Sequence, residues 1–479
     1  MTFQAQVEVR RVPMLIGGET RFGASEYDIV DPYRGTLVSR APVSTAQDLD
    51  DAIAAAVRCK PLAAALPGHR RAEILRRASE LIAERTEIIA ETMSRETGKA
   101  LKDSQAEVAR AELTMRLSAE EAVRITGEHV PLDASAMGAG KIAMLLRFPV
   151  GVVAAITPFN APFNLAVHKV APAFAAGNTV VLKPPLQAAG TVHHLVRIMI
   201  DAGMPDGFLN VVYGNDVGPL LVRDSRVDFI TFTGSTRVGA EIKAASGLRR
   251  VALELGGTGQ SIVHADASIE DAAPTCARNA MRLAGQSCAS VQNIYVHESR
   301  YDAFALLLAD EIGKLKLGDP LDPDTDVGVM IDEGAAQRVQ SWLEEAVAGG
   351  ARIAVGGQRN GAQLEPTLVV DVKPEMRVVA SEVFGPVVTL QSYSNVNDVF
   401  DVITDAPLGL QCGIYTKSLE VAMAAVRRTR TGAVIVNGTS TWRADQMPYG
   451  GVKNSGIGRE GPHYAMRELT EERLVVFNL

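Results

Sequence analysis

Cysteine is scarce. The 479 residues hold four, Cys59, Cys276, Cys288 and Cys412, and no two stand as C-x-x-C. That excludes a disulfide framework and a zinc or dithiol motif, and it fits a reducing cytoplasm. Basic charge is not in excess either. Lys and Arg number 48 against 56 Asp and Glu, a net charge of −8, which argues against nucleic acid as a main partner. No apolar run is long enough to span a membrane. The longest, near 165–182, is broken by His168, Lys169, Pro172, Gly177 and Asn178. The start, Met1 to Gln6, lacks a charged region followed by an apolar stretch, so no signal peptide is expected. Eight histidines, among them His168, His193 and His194, show no ligand spacing, and no metal site is expected. Fixed-period repeats and low-complexity linkers are also missing.

What is present is an ordinary globular composition, 47% apolar, in a chain long enough for two or three domains. Residues 11–44 read as short strands and turns, and 45–127 as helices. One helix opens at Ser44 or Thr45, one covers 69–95, and one covers 101–125. On the last, Arg110 and Arg124 stand among glutamates and read as a solvated, salt-bridged face. From 147 to 262, buried-strand runs (150–156, 179–182, 209–212, 229–232) alternate with Ala-rich helices (161–176, 188–202, 216–223). Segment 263–430 repeats the alternation. Helices are expected near 269–284, 300–314, 333–348 and 419–428, and strands near 291–296, 366–370, 386–391 and 433–436. This pattern predicts parallel βαβ units in doubly wound α/β sheets. The closing run 472–477 reads as a strand in need of a partner edge, in this subunit or another.

Ligands in such sheets sit beyond the carboxyl ends of the strands. The unusual residues fall there: Thr157-Pro158-Phe159-Asn160, Lys183-Pro184-Pro185 and Gly234-Ser235. Phe232-Thr233-Gly234-Ser235 opens a helix whose backbone N–H groups suit a phosphate, although it is neither G-x-G-x-x-G nor a Walker loop. Glu254, between leucines and before two glycines, is set up for a raised pKa and general-base work; the plainer alternative is an ion pair with Arg249 or Arg250. Cys288 lies in Ala284-Gly285-Gln286-Ser287-Cys288-Ala289-Ser290, small neighbours that leave room above a nucleophilic sulfur. Alone, that heptapeptide reads as a buried structural cysteine. The side-chain amide of Asn160 is placed to donate to a developing oxyanion.

Five motifs occur in order: Phe-Thr-Gly-Ser-Thr, Leu-Glu-Leu-Gly-Gly, Gly-Gln-x-Cys, Glu-x-Phe-Gly-Pro and Pro-x-Gly-Gly-x-Lys-x-Ser-Gly. Together they resemble the aldehyde dehydrogenase superfamily from about Val12 to Phe477. The resemblance implies a cofactor-binding domain (1–121 and 147–254), a catalytic domain (255–458) and a small β extension (122–146 and 459–479). The extension would join subunits into a homodimer or homotetramer. It implies a Cys288 thiolate that attacks the aldehyde, with the oxyanion held by Asn160 and the Cys288 N–H. Hydride passes to the nicotinamide, and Glu254 activates the water that hydrolyses the thioester. Thr157, Phe159, Lys183, Gly234, Ser235, Leu255, Glu382 and Phe384 match cofactor positions. The expected cofactor is NADP or NAD. NADP is favoured slightly because Lys183-Pro184-Pro185-Leu186-Gln187 carries no carboxylate to repel a 2′-phosphate.

The nearest branch by resemblance acts on small oxygenated or anionic aldehydes: lactaldehyde, succinate semialdehyde, glyceraldehyde 3-phosphate and phosphonoacetaldehyde. Arg110 and Arg443 match substrate-mouth positions, and two arginines favour a carboxylate, sulfonate or phosphate. Ser287 stands where phosphate users often place an arginine, which speaks against a doubly charged substrate. The alternatives are a broad-specificity enzyme for neutral aldehydes, an acyl-transferring or esterase-like role, and a non-catalytic structural member. For Arg110 the alternative is a pair with Glu107 or Glu112, and for Trp442 plain surface packing.

Overall fold

The computed structural model describes residues 9–479; Met1 to Gln6, read above for a signal peptide, lie outside them. Two hydrophobic cores divide the molecule. The first gathers apolar residues from Val12 to Leu255 and adds Met466 and Leu469. The second runs from Val263 to Tyr415. Each core surrounds a largely parallel sheet.

In the first sheet five parallel strands lie in the order Arg250–Glu254, Phe229–Thr233, Val152–Ile156, Thr179–Lys183, Leu209–Val211, with short antiparallel strands at both edges. Their interiors are almost wholly buried because helices cover both faces, which is why they read as unbroken apolar runs. The register is functionally important. Ile156 pairs with Lys183, and Thr233 with Glu254, so four strands end level and bring Thr157, Lys183, Gly234 and Glu254 to one edge.

The second sheet holds six parallel strands, Thr367–Val370, Val387–Tyr393, Asn293–His297, Gln260–Val263, Gln411–Tyr415 and Ala433–Val436, with antiparallel Arg352–Val355 outside. Cys288 precedes Asn293–His297 and therefore sits at the amino edge of this sheet. The chain crosses between the sheets twice, at 255–259 and at 437–456, and the two crossings are bonded together. Leu255 N–H donates to the Ser455 carbonyl (3.0 Å), and Ser455 Oγ donates to the Gly256 carbonyl (2.6 Å).

Several sequence expectations need correction. The helix expected over 69–95 is two helices, Gly68–Glu84 and Thr86–Thr97, broken at Arg85 (φ −110°, ψ 16°). Thr86 Oγ1 turns back to the Ile82 and Ala83 carbonyls there, competing with the ladder. Gln260–Val263, Gln411–Tyr415 and the helix Val396–Asp405 were not expected. The terminal strand Thr470–Asn478 pairs within its own chain, antiparallel to Lys141–Pro149, which also pairs with Glu128–Val130. Residues 459–469 do not join that sheet. Helix Pro462–Glu468 packs on Pro162–Ala175 and Leu101–Glu121, so its side chains belong to the first core. Among the described residues no helix is long and apolar enough to cross a membrane, and no group of three or more His, Cys, Asp or Glu is placed to hold a metal ion.

Candidate active site

The carboxyl edge of the first sheet faces the amino edge of the second, and Cys288 lies where they meet. The helix Ile269–Met281 ends three residues earlier than the sequence suggested. Leu283 (φ 57°), Ala284 (φ 50°) and Gly285 (φ 67°) then form a left-handed turn. Two of these carry side chains, a backbone cost of order 1–3 kcal/mol each that surrounding contacts must offset. Asp103 supplies them: one oxygen accepts from Arg282 Nε (2.8 Å), the other from Leu283 N–H (3.3 Å). At Gly285 a Cβ would stand 1.9 Å from the Gly385 carbonyl oxygen, so no larger residue fits.

The turn delivers Cys288 to the floor of a cavity of about 100 Å³ lined also by Asn160, Ser287, Arg110, Arg282, Arg443 and Tyr449. Sγ lies 3.2 Å from Tyr449 Oη. Burial pushes the thiol up to about 12, with the Tyr449 hydrogen bond the leading opposing influence. Asn160 Nδ2 donates to the Gln286 carbonyl (2.9 Å), which aims the amide at the Cys288 loop and leaves its second N–H free. Ser287 Oγ accepts from Ala289 N–H (3.4 Å).

Glu254 is buried, and neither carboxylate oxygen has a hydrogen-bond partner. The ion pair considered from sequence is absent. Arg249 donates to backbone carbonyls, and Arg250 binds the Thr470 carbonyl and Glu468. Desolvation, reinforced by Glu460, raises Glu254 well above the usual carboxylate range, against Lys169, Arg443 and Arg459. This is the environment that suits a general base.

The arginines are each held from behind. Arg110 forms a two-pronged pair with Asp445 (3.0 and 2.7 Å), not with Glu107 or Glu112. Glu107 is occupied by Lys99 and by the N–H groups of Phe163 and Asn164. Arg124, by contrast, is the expected surface residue beside Glu120 and Glu121. Arg443 is largely buried, with Nη2 donating to Glu460 (3.1 Å) and lying 3.0 Å from His168 Nε2. Asp445 also contacts His168 (3.1 Å), and these pairings hold it below the usual carboxylate range despite its burial. Trp442 is 57% exposed and packs on the surface. Arg282 and Tyr449 were missed from sequence. Arg282 was hidden in an expected helix, and Tyr449 reads as motif filler between a proline and two glycines.

A second cavity, about 500 Å³, opens along the first sheet's carboxyl edge and is lined by Thr157, Lys183, Gly234, Arg223 and Arg237. Thr157 Oγ1 is buried without a partner, and desolvation lowers Lys183. A buried hydroxyl with no protein partner suits a polar ligand. Ser235 caps the helix Thr236–Ala245 through Val238 N–H (3.4 Å). Gly234 must be glycine because a Cβ would meet the Phe232 ring at 2.4 Å, and Leu255 packs on Gly239 for the same reason. Phe159 and Phe384 meet edge to face at 6.0 Å. Nearby Glu382 accepts from Gly257 N–H (3.3 Å) and is raised to about 7 by burial. These side chains fit a dinucleotide: an orphan hydroxyl and lysine, a glycine turn at a helix start, and an apolar wall ending in a carboxylate.

Two opposed α/β sheets with a thiol, a buried carboxylate and a nucleotide-sized groove define a cofactor-dependent oxidoreductase. The aldehyde dehydrogenase family profile matches residues 20–475, and the chain belongs to that family. It is an NAD(P)-dependent aldehyde dehydrogenase. It is 42% identical to the 3-sulfolactaldehyde dehydrogenase of Priestia aryabhattai over 98% of this chain and 99% of that one. Among solved structures it resembles aldehyde dehydrogenase 21 from Physcomitrella patens in complex with the reaction product succinate (TM-score 0.96, 36% identity, 99% of each chain). It also resembles the NADP-dependent glyceraldehyde-3-phosphate dehydrogenase of Bacillus halodurans C-125 complexed with NADP (TM-score 0.95, 34% identity, 98% of this chain and 99% of that one).

Proposed function

We propose that the protein oxidises a small aldehyde carrying a sulfonate or carboxylate to its acid, through a Cys288 thiohemiacetal and thioester. The observation that carries this reading is the arginine-lined cavity over Cys288, where Arg110, Arg282 and Arg443 converge on about 100 Å³. Guanidinium groups fixed by carboxylates behind them keep their outward N–H groups for a planar or tetrahedral anion. The relatives named for sulfolactaldehyde and in complex with succinate support the same class.

In this reading the Cys288 thiolate adds to the aldehyde carbon. The charge that moves to the carbonyl oxygen meets the Asn160 amide and the Cys288 N–H. NAD(P)⁺, when bound, supplies the hydride acceptor. Lys183, Thr157, Gly234 and Ser235 would hold its adenosine and pyrophosphate end. Glu382, Phe384, Phe159 and Leu255 would hold its nicotinamide end. Glu254 takes the proton of the water that cleaves the thioester, releasing a free acid. NADP is favoured. Arg223 and Arg237 line the cavity with Lys183, Arg237 paired there with Glu241 (2.7 Å), and no carboxylate follows the lysine in Pro184-Pro185-Leu186-Gln187. The protein is read as a cytoplasmic homodimer or homotetramer, joined through the open edge of Thr470–Asn478, whose Leu474, Val476 and Phe477 are exposed.

The test is initial rate with NADP and with NAD over sulfolactaldehyde, succinate semialdehyde, lactaldehyde, propanal and benzaldehyde. Anionic aldehydes should lead. Arg110→Gln should lower their kcat/KM about 10- to 100-fold while leaving propanal within a small factor. Equal rates for propanal or benzaldehyde would favour the broad-specificity alternative, and absence of turnover would favour the structural one.

A further inference from the structure

We propose that Tyr449 is a catalytic residue: its phenolic O–H, beneath a ring capped by the Arg443 guanidinium, donates to the Cys288 sulfur and steadies the thiolate. The inference rests on Cys288 being the nucleophile.

Three contacts build the unit. Tyr449 Oη lies 3.2 Å from Sγ, within reach for a hydrogen bond to sulfur. Arg443 Cζ sits 4.0 Å from the centroid of the Tyr449 ring, a close cation–π stack. Glu460 fixes both partners. Its backbone exchanges two hydrogen bonds with Tyr449 (3.1 and 2.7 Å), and its carboxylate accepts from Arg443 Nη2 (3.1 Å). Tyrosine and arginine are thus held in register by one residue; Tyr449 is buried and the Arg443 side chain is 9% exposed.

The chemistry follows from that stack. A guanidinium over the ring face draws electron density from the phenol and makes its O–H a stronger donor. Burial raises the phenol well above its ordinary value, so it remains a donor wherever the thiol titrates. The sulfur needs such help. Glu382 and Glu254 both oppose its ionisation, and Arg443 is the favourable charge beneath it. Arg110 and Arg282 also line the cavity, each paired with its own carboxylate, Asp445 or Asp103, but Arg443 is the arginine that favours the thiolate. When Cys288 ionises, its proton leaves to solvent water and the electron pair stays on Sγ, where the Tyr449 O–H meets it. When the C–S bond forms, that pair becomes the bond, charge passes to the carbonyl oxygen, and the hydrogen bond to sulfur weakens. A phenylalanine would fill the same space and supply none of this.

The experiment is alkylation of the full-length protein with iodoacetamide across the alkaline range, read as the mass of the Cys288 peptide, for wild type and Tyr449→Phe. The variant should react about tenfold more slowly below its midpoint, with the midpoint moved up by about one unit. The acid limb of the kcat/KM profile should move the same way. Superimposable profiles would overturn the proposal. Should alkylation of Cys288 in the wild type leave activity intact, the nucleophile assignment itself would fall. Should alkylation abolish activity while Tyr449→Phe titrates unchanged, the tyrosine role alone would fall.

Discussion

Glu254 shows how far a single side chain can be argued from its surroundings. Its two oxygens are buried without partners, and its proton affinity is raised by desolvation and by Glu460. For a carboxyl raised on folding, the native state binds more protons than the unfolded chain above the ordinary carboxylate pKa. Stability therefore falls as pH rises from that value toward the native one. Glu254→Gln should remove this loss, giving a higher Tm at neutral and alkaline pH than wild type, seen by thermal melts over a pH series. The same variant should lose about 10²- to 10⁴-fold in steady-state turnover if the carboxylate is the deacylation base. A pre-steady-state burst of reduced cofactor should survive, and loss of the burst would move the role of Glu254 to an earlier step. That Cys288 and Asn160 line one cavity and that Glu254 is buried at the strand end was legible in the sequence, because each stands in a short motif with a chemical reason for its residue type. The places of Arg282, Asp103 and Tyr449 were not, because they come from partners 161 and 179 residues away or from a turn that periodicity does not encode.

At the level of elements, the left-handed turn Leu283–Ala284–Gly285 is the part most exposed to test. It is held by Asp103, which reaches it from Leu101–Glu121. Asp103→Ala should cost about 1–3 kcal/mol, by chemical denaturation, since it strips a buried partner from Arg282 and from a backbone N–H. Activity should fall with stability to spare, because the nucleophile loop loses its anchor before the fold does. Unchanged kcat/KM would show that Gly385 and Gln286 suffice to hold the turn. Most helices and the first sheet were legible because doubly covered parallel strands read as apolar runs. Gln411–Tyr415 was not: it pairs on both sides, yet Gln411, Cys412 and Gly413 carry no strand-like pattern. Its place is set by neighbours, with Gly413 required because a Cβ would stand 2.3 Å from the Gly438 carbonyl oxygen. The helix break at Arg85 was hidden for a related reason, since the apolar spacing continues through it.

At the scale of the whole molecule, Thr470–Asn478 leaves one sheet edge open, with Leu474 52% and Phe477 47% exposed. A flat apolar edge of this kind seeks another strand or surface. Replacing both residues, Leu474→Lys with Phe477→Asp, should shift the protein to monomer in light scattering without changing the Cys288 alkylation rate. A wild-type monomer would sink the assembly reading. The sequence disclosed that a strand ends the chain, but not that its partner is Lys141–Pro149, a pairing with more than three hundred residues between.

The short crossing at 255–259 ties Glu254 to the Cys288 loop. Beyond Glu254 the chain passes so close under the Cys288 loop that a Cβ on Gly257 would stand 2.6 Å from the Cys288 carbonyl oxygen, and one on Gly259 1.7 Å from that of Ser290. With the second crossing bonded to it through Ser455, this segment is held from both sides. A side chain placed at Gly257 or Gly259 should therefore disturb Glu254 and the Cys288 loop together, because one short stretch of backbone carries the first and supports the second.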